Sequence, residues 1–169
     1  MSLVHLQCKY ENNYPPARGP VLLLSCMDLR LTDNIVQFME HDNLVNRYDH
    51  LIFAGASLGA LGVPGKSKKY AHWKQAFFEH FEAAYELRQF TDVYILEHRH
   101  CGAYHKVFKI TDEFGPSDKE QQAEMKLHYE YARKLEKEIE KWARKKKVEI
   151  HVRKFLMDLR GNVKMLTKK

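Results

Sequence analysis

Two short stretches of this chain are apolar without interruption, Val21-Leu22-Leu23-Leu24 and Val93-Tyr94-Ile95-Leu96. A strand with one wet face alternates apolar and polar residues. A run that does not alternate needs apolar partners on both faces. These runs therefore read as central strands of a parallel sheet covered on both sides by helices, and the segments between them supply the helices. After the first strand (21–26), Ile35, Val36, Phe38 and Met39 lie close to one helical face. Thr32 or Asp33 is placed to cap that helix, and Asn43 and Asn46 are placed to end it.

A second strand (49–53) runs into a glycine-rich break at 54–62. A long helix over 70–90 follows, with Trp73, Ala76, Phe77, Phe81, Ala84, Tyr85 and Leu87 at helical spacing. The third strand covers 92–97 and a short helix covers 102–108. Ser117-Asp118-Lys119-Glu120 is a capping-box signature, opening a helix that reaches about Lys147 with Ala132, Leu135, Ile139 and Trp142 on its apolar face. A fourth strand (149–157) and a fifth (162–166) are joined through 158–162, a link tight enough to require an antiparallel hairpin.

The expected fold is α/β: a mainly parallel sheet of four strands in the order 2-1-3-4, a short antiparallel C-terminal strand, and helices on both faces. The length of 169 residues suits a single domain spanning 1–169. Residues 1–19 form an N-terminal arm. In it Leu3-Val4-His5-Leu6 fits a helical turn and 14–20 is a stiff, proline-rich lead-in. Cys8 reads as a small buried hydrophobe.

The chemistry sits where the uninterrupted runs end. Cys26 closes the first. His98-Arg99-His100-Cys101-Gly102 follows the third strand. In a doubly wound sheet ligands bind beyond the carboxyl ends of strands, where the strand order reverses. With the order 2-1-3-4, strands one and three are neighbours at that point. Two thiolates and one imidazole then converge without a special loop. They make three of the four ligands of a tetrahedral zinc, and a site with three protein ligands keeps one position open. Asp28 and Arg30, just past Cys26, are spaced to form a charge-assisted pair. His100 is a candidate proton shuttle, whereas His72, His80 and His105 read as helix-surface residues.

The remaining composition excludes several classes. Three cysteines are too few and too odd in number for a disulfide framework. No apolar run approaches a membrane span, and no signal pattern opens the chain, so a cytoplasmic location is expected. The formal charge of +6 owes much to Arg144-Lys145-Lys146-Lys147 and Lys168-Lys169, which read as a helix end and a tail. No nucleic-acid motif accompanies them. Gly65-Lys66-Ser67 lacks the upstream glycine spacing of a phosphate loop.

Cys26-Met27-Asp28-Leu29-Arg30 together with His98-Arg99-His100-Cys101-Gly102 resembles the β-class carbonic anhydrases, which carry Cys-x-Asp-x-Arg after the first strand and His-x-x-Cys-Gly after the third. The likeness extends loosely over residues 20–166. It implies a homodimer or higher homo-oligomer that hydrates carbon dioxide to bicarbonate, with Cys26, His98 and Cys101 as Zn2+ ligands and Asp28 and Arg30 as the catalytic dyad. The family usually shows Arg-Asn-Ala-Gly after its second strand. This chain has Ile52-Phe53-Ala54-Gly55 instead, and Leu29 in place of a small residue. Leu29 and Phe53 imply a more apolar pocket. Two other functions therefore stand beside hydration of carbon dioxide: hydrolysis of another small linear electrophile, such as carbon disulfide or carbonyl sulfide, and a non-catalytic zinc site.

Overall fold

Five strands, β1 (Val21–Ser25), β2 (Tyr48–Ile52), β3 (Asp92–His98), β4 (His151–Met157) and β5 (Val163–Met165), form one sheet in the order β2-β1-β3-β4-β5. The first four are parallel and β5 is antiparallel to β4. The helices are α1 (Thr32–His41), α2 (Ser57–Ala60), α3 (His72–Arg88) and α4 (Asp118–Lys146). This is a computed structural model, and it describes residues 9–11, 14–66 and 68–168. The expected helical turn at Leu3–Leu6 and the environment of Cys8 lie outside the described residues.

The uninterrupted runs are explained by two apolar layers, one on each face of the sheet. Leu22, Leu24, Val93 and Ile95 pack with Phe77 and Phe81 of α3 and with Ala132, Leu135 and Ile139 of α4. Their neighbours Val21, Leu23, Tyr94 and Leu96 pack on the opposite face with Ile35, Phe38 and Met39 of α1. Leu22, Leu23 and Leu24 are all 0% exposed, so each contributes the full effect of burying a large side chain, about 1.5–3 kcal/mol. Tyr94, the one polar group in these runs, is accommodated because its hydroxyl donates to Asp42 Oδ2 at 2.9 Å. The described part of the arm closes the α1 face. Tyr10 pairs with Val163 as an isolated parallel bridge, and Tyr10 and Ala17 are buried against this chain's own core.

The capping box forms as expected. Ser117 Oγ accepts from Glu120 N at 3.3 Å, and the Glu120 carboxylate reaches back to Ser117 Oγ and to Gly115 N. The β4–β5 hairpin is held by Asp158, whose carboxylate accepts from Arg160 N and Asn162 N.

Several local readings are corrected. Neither Thr32 nor Asp33 caps α1, because a 3₁₀ turn at Leu29–Leu31 runs directly into that helix. The cap moves upstream to Asp28, whose side chain accepts from Arg30 N. Val36 and Leu87 are exposed, at 53% and 70%. Each lies one step around its helix from the buried stripe, where a loose helical spacing still admits it. The short helix after Cys101 is a single π-helical turn, Ala103–Val107. Among the described residues no helix is long and apolar enough to cross a membrane.

Candidate metal centre

Register delivers the site. In the parallel pairing of β1 with β3, Ser25 lies opposite Leu96. The next residue of β1 is Cys26, and the residues that complete β3 are Glu97 and His98. Both strand ends therefore open at the same edge of the sheet, between the two strands where the order reverses. Cys101 is carried back to them by a turn at His100, which holds φ 54.

The candidate ligand atoms of Cys26, His98 and Cys101 all lie within 4.8 Å of one another, and all three residues are buried. The two sulfurs are 3.8 Å apart. Two thiolates bound tetrahedrally at about 2.3 Å would stand about 3.8 Å apart, so the spacing fits a shared ion. His98 Nδ1 is 2.9 Å from Arg99 O, an acceptor only, which fixes the ring proton on Nδ1. Nε2 is then left with a free lone pair. Among the described residues, Nε2 is the one buried side-chain polar atom without a hydrogen-bond partner. A buried polar atom costs free energy unless something satisfies it, and a metal held at the sulfurs would do so.

The thiols share a proton. Cys26 and Cys101 hydrogen-bond to one another through sulfur, and the Gly55 N–H donates to the Cys26 sulfur at 3.3 Å. The Cys101 contact, with help from Gly55, pulls the Cys26 thiol below the ordinary thiol range against the cost of burial. Gly55 reaches the sulfur from a backbone at φ 73, in the left-handed region that favours glycine. Gly59 is required for a different reason: a Cβ there would meet Ala54 O at 2.3 Å.

Asp28 and Arg30 form the expected pair beside this cluster. Arg30 Nε donates to Asp28 Oδ1 at 2.9 Å and Nη2 donates to Oδ2 at 2.6 Å. These bonds hold the Asp28 carboxyl down at about 2. Oδ2 stands 3.9 Å from His98 Nε2, close to the point of convergence but beyond hydrogen-bonding distance. Arg30 Nη2 also donates to His100 O at 3.2 Å, tying the dyad to the ligand loop.

A cleft of about 410 Å³ opens over the dyad, lined by Cys26, Met27, Asp28, Leu29, Ala54 and Val107 among others. Leu29 therefore lies where the sequence places it. Phe53 does not line the cleft and packs instead on Trp73 and Phe77 of α3. His100 lines a small cavity with Tyr104, Glu124 and His128 and is not among the residues lining that cleft. The structure therefore gives the proton-shuttle reading of His100 no support. His72 and His80 are exposed and His105 is partly so.

Sequence reasoning missed two buried carboxylates next to the site. Glu97, 1% exposed, accepts from Ser57 N (3.0 Å) and Ser57 Oγ, from Tyr104 OH (3.2 Å) and from His128 Nδ1 (2.8 Å). Glu124, also 1% exposed, accepts from His100 N at 2.5 Å and from Arg99 Nε at 3.0 Å. The signal was present in α4. Stepping back four residues at a time from Ala132 reaches His128 and then Glu124, so both lie on the buried stripe.

The fold is similar to that of a β-carbonic anhydrase. A mutant of the β-carbonic anhydrase CafD from the filamentous fungus Aspergillus fumigatus superposes with a TM-score of 0.61, covering 92% of this chain and 95% of that one, at 12% identity. At that identity the likeness is one of fold. In sequence, the chain belongs to the same family as an uncharacterized protein of Rickettsia bellii (strain RML369-C), with 30% identity over 164 residues, 97% of this chain and 92% of the relative. The uncharacterized protein RC0076 of Rickettsia conorii (strain ATCC VR-613 / Malish 7) is 30% identical over 145 residues, 86% of this chain and 70% of that protein. No family model matches the sequence.

Proposed function

We propose that this chain is a zinc-dependent enzyme of the β-carbonic anhydrase type that hydrates carbon dioxide to bicarbonate. The observation that carries the proposal is the convergence of Cys26, His98 and Cys101 beside an Asp28–Arg30 pair that stands off from them. Zinc on that donor set would supply Lewis-acid activation of water near neutral pH. The protein's own residues do the rest. His98 offers Nε2 because Arg99 O holds the proton on Nδ1. Arg30 donates to both oxygens of Asp28, which holds the carboxylate beside the Cys26–His98–Cys101 cluster, where it would leave zinc with three protein ligands. Asp28 Oδ2, facing the convergence point, accepts a hydrogen bond from the attacking water and fixes its orientation. Water adds to the carbon of carbon dioxide, and the surplus proton passes to solvent, giving bicarbonate.

A second substrate class is supported by the cleft itself. Met27, Leu29 and Val107 are 67%, 86% and 55% exposed, and with Ala54 they line the approach to Cys26 and Asp28 with apolar groups. Such a mouth admits carbon disulfide or carbonyl sulfide as readily as carbon dioxide. The same exposed groups support assembly into a homodimer or higher homo-oligomer, to be read by light scattering.

The deciding experiment is stopped-flow hydration of carbon dioxide by protein of measured zinc content, at pH 7 and pH 8.5. Catalysis abolished by Asp28→Asn supports the proposal. Zinc-loaded protein with no rate above buffer at either pH overturns it. Turnover of carbon disulfide or carbonyl sulfide alone selects the second class.

A further inference from the structure

His100 stands between two candidate ligands, His98 and Cys101, with φ 54. A non-glycine residue pays for the left-handed region unless surrounding contacts hold it there. Both polar atoms of its backbone are held. The N–H donates to Glu124 Oε1 at 2.5 Å and the C=O accepts from Arg30 Nη2 at 3.2 Å. Glu124 projects from α4, a long helix remote in sequence from both strand ends, and is 1% exposed. Its second oxygen accepts from Arg99 Nε at 3.0 Å, and Arg99 Nη1 also donates to Gln121 Oε1 at 3.3 Å. One buried carboxylate thus grips two successive residues of the four-residue ligand loop.

The far side of the same peptide bears on the dyad. Arg30 divides its donors between Asp28 and His100 O. If the His100 carbonyl moves, Arg30 loses an anchor, and with it the hold that keeps Asp28 away from the sulfurs. We propose that Glu124 is a positioning residue for the metal centre. By fixing the left-handed His100 peptide it sets the bite of His98 and Cys101 and, through Arg30, holds the Asp28 carboxylate off the metal. This rests on the zinc reading above. It adds a residue on α4 that controls both metal affinity and the open coordination position.

The test uses Co2+ as a spectroscopic substitute for zinc, in the full chain. Glu124→Met fills the same volume with no acceptor; Glu124→Gln keeps an oxygen for the His100 N–H. Loss of an outer-shell partner typically weakens metal binding by about 10–100-fold, and that loss is expected in Glu124→Met by chelator competition. Glu124→Gln should stay close to wild type. The Co2+ absorption of wild type should respond to added azide, which needs an open position. That of Glu124→Met should respond less, because Asp28 is free to occupy it. Glycine adopts φ 54 without penalty, so the affinity lost in Glu124→Met should shrink in a His100→Gly background.

Wild-type affinity and azide response in Glu124→Met overturn the proposal and leave the zinc reading standing. So does a Glu124→Met loss undiminished by His100→Gly. A wild-type chain that takes up no Co2+ overturns both readings. Should Glu124→Met fail to fold, hydrogen exchange in the wild type decides: a slowly exchanging His100 amide supports the anchor, and a freely exchanging one overturns it.

Discussion

Glu97 and His98 are adjacent on β3, both buried, and they end in opposite situations. Glu97 accepts four hydrogen bonds, from Ser57 N and Oγ, Tyr104 OH and His128 Nδ1, in a cluster sealed between α2, α4 and the sheet. His98 has one nitrogen satisfied by Arg99 O and the other bare, beside two thiols and a cleft. The closed cluster has nothing left to bind. The open one lacks a partner for a buried nitrogen. Alternation along a strand sends neighbouring side chains to opposite faces, so one strand end supports both a structural pin and a ligand without interference. The difference teaches that a buried polar residue is read by whether its hydrogen bonds close, more than by its type.

The closed cluster depends most on Glu97. Removing it leaves Ser57, Tyr104 and His128 buried without an acceptor. Glu97→Ala should cost about 3–5 kcal/mol of stability, as for one partner lost from a buried pair. Urea unfolding of metal-free protein measures this, and a loss below about 1 kcal/mol, the typical worth of a single hydrogen bond, would show the cluster to be slack.

Next comes the open side. Zinc that binds only the native state should stabilise the wild type by about 2.7 kcal/mol when free zinc is 100 times Kd. Cys101→Ser and Cys26→Ser should lose that increment, whereas folded Glu97→Gln should keep it. Thermal unfolding with and without chelator separates the cases. A zinc-dependent shift that survives Cys101→Ser would move the site elsewhere.

A third imidazole sharpens the contrast. His50 is hydrogen-bonded to Ser25 Oγ at 2.7 Å. Burial lowers its pKa below the ordinary value. An unfolded histidine titrates near pH 6.5, so below that pH the unfolded chain binds the extra proton first. The stability His50 contributes is therefore complete above about pH 6.5 and is lost as the pH falls through the native pKa. His50→Gln should flatten the decline in stability between pH 7 and 5. An unchanged slope would assign the decline to other groups.

The smallest effect is expected at Leu29, 86% exposed over the cleft. Leu29→Ser should change stability by no more than about 0.5 kcal/mol, as for a surface position. If the apolar mouth selects substrate, the same change should shift the ratio of carbonyl sulfide to carbon dioxide turnover. A constant ratio would remove Leu29 from selectivity.

Much of the fold was legible because burial on two faces leaves a mark that needs no tertiary information. The non-alternating runs placed β1 and β3 at the centre of a parallel sheet, and the tight 158–162 link made β5 antiparallel. The positions of Cys26, His98 and Cys101 at strand ends followed from the same periodicity. Where spacing was loose the reading slipped, as at Val36 and Leu87, because a 3.6-residue period does not separate a stripe's edge from its flank.

Local sequence specifies which residues can meet: strand ends, their order and the Asp28-Leu29-Arg30 spacing that lets two charges pair locally. What holds those residues in place comes from packing. The spacing of α4 puts Glu124 and His128 on its buried stripe, but their partners, His100 N and Glu97, appear only once α4 is docked on the sheet. Phe53 looks like a pocket residue until Trp73 and Phe77 of α3 pack against its ring. Which nitrogen of His98 is bare depends on where Arg99 O falls. The reason is range. Periodicity and pairing within a few residues are written in local sequence, whereas desolvation and hydrogen bonds between distant elements exist only once those elements pack.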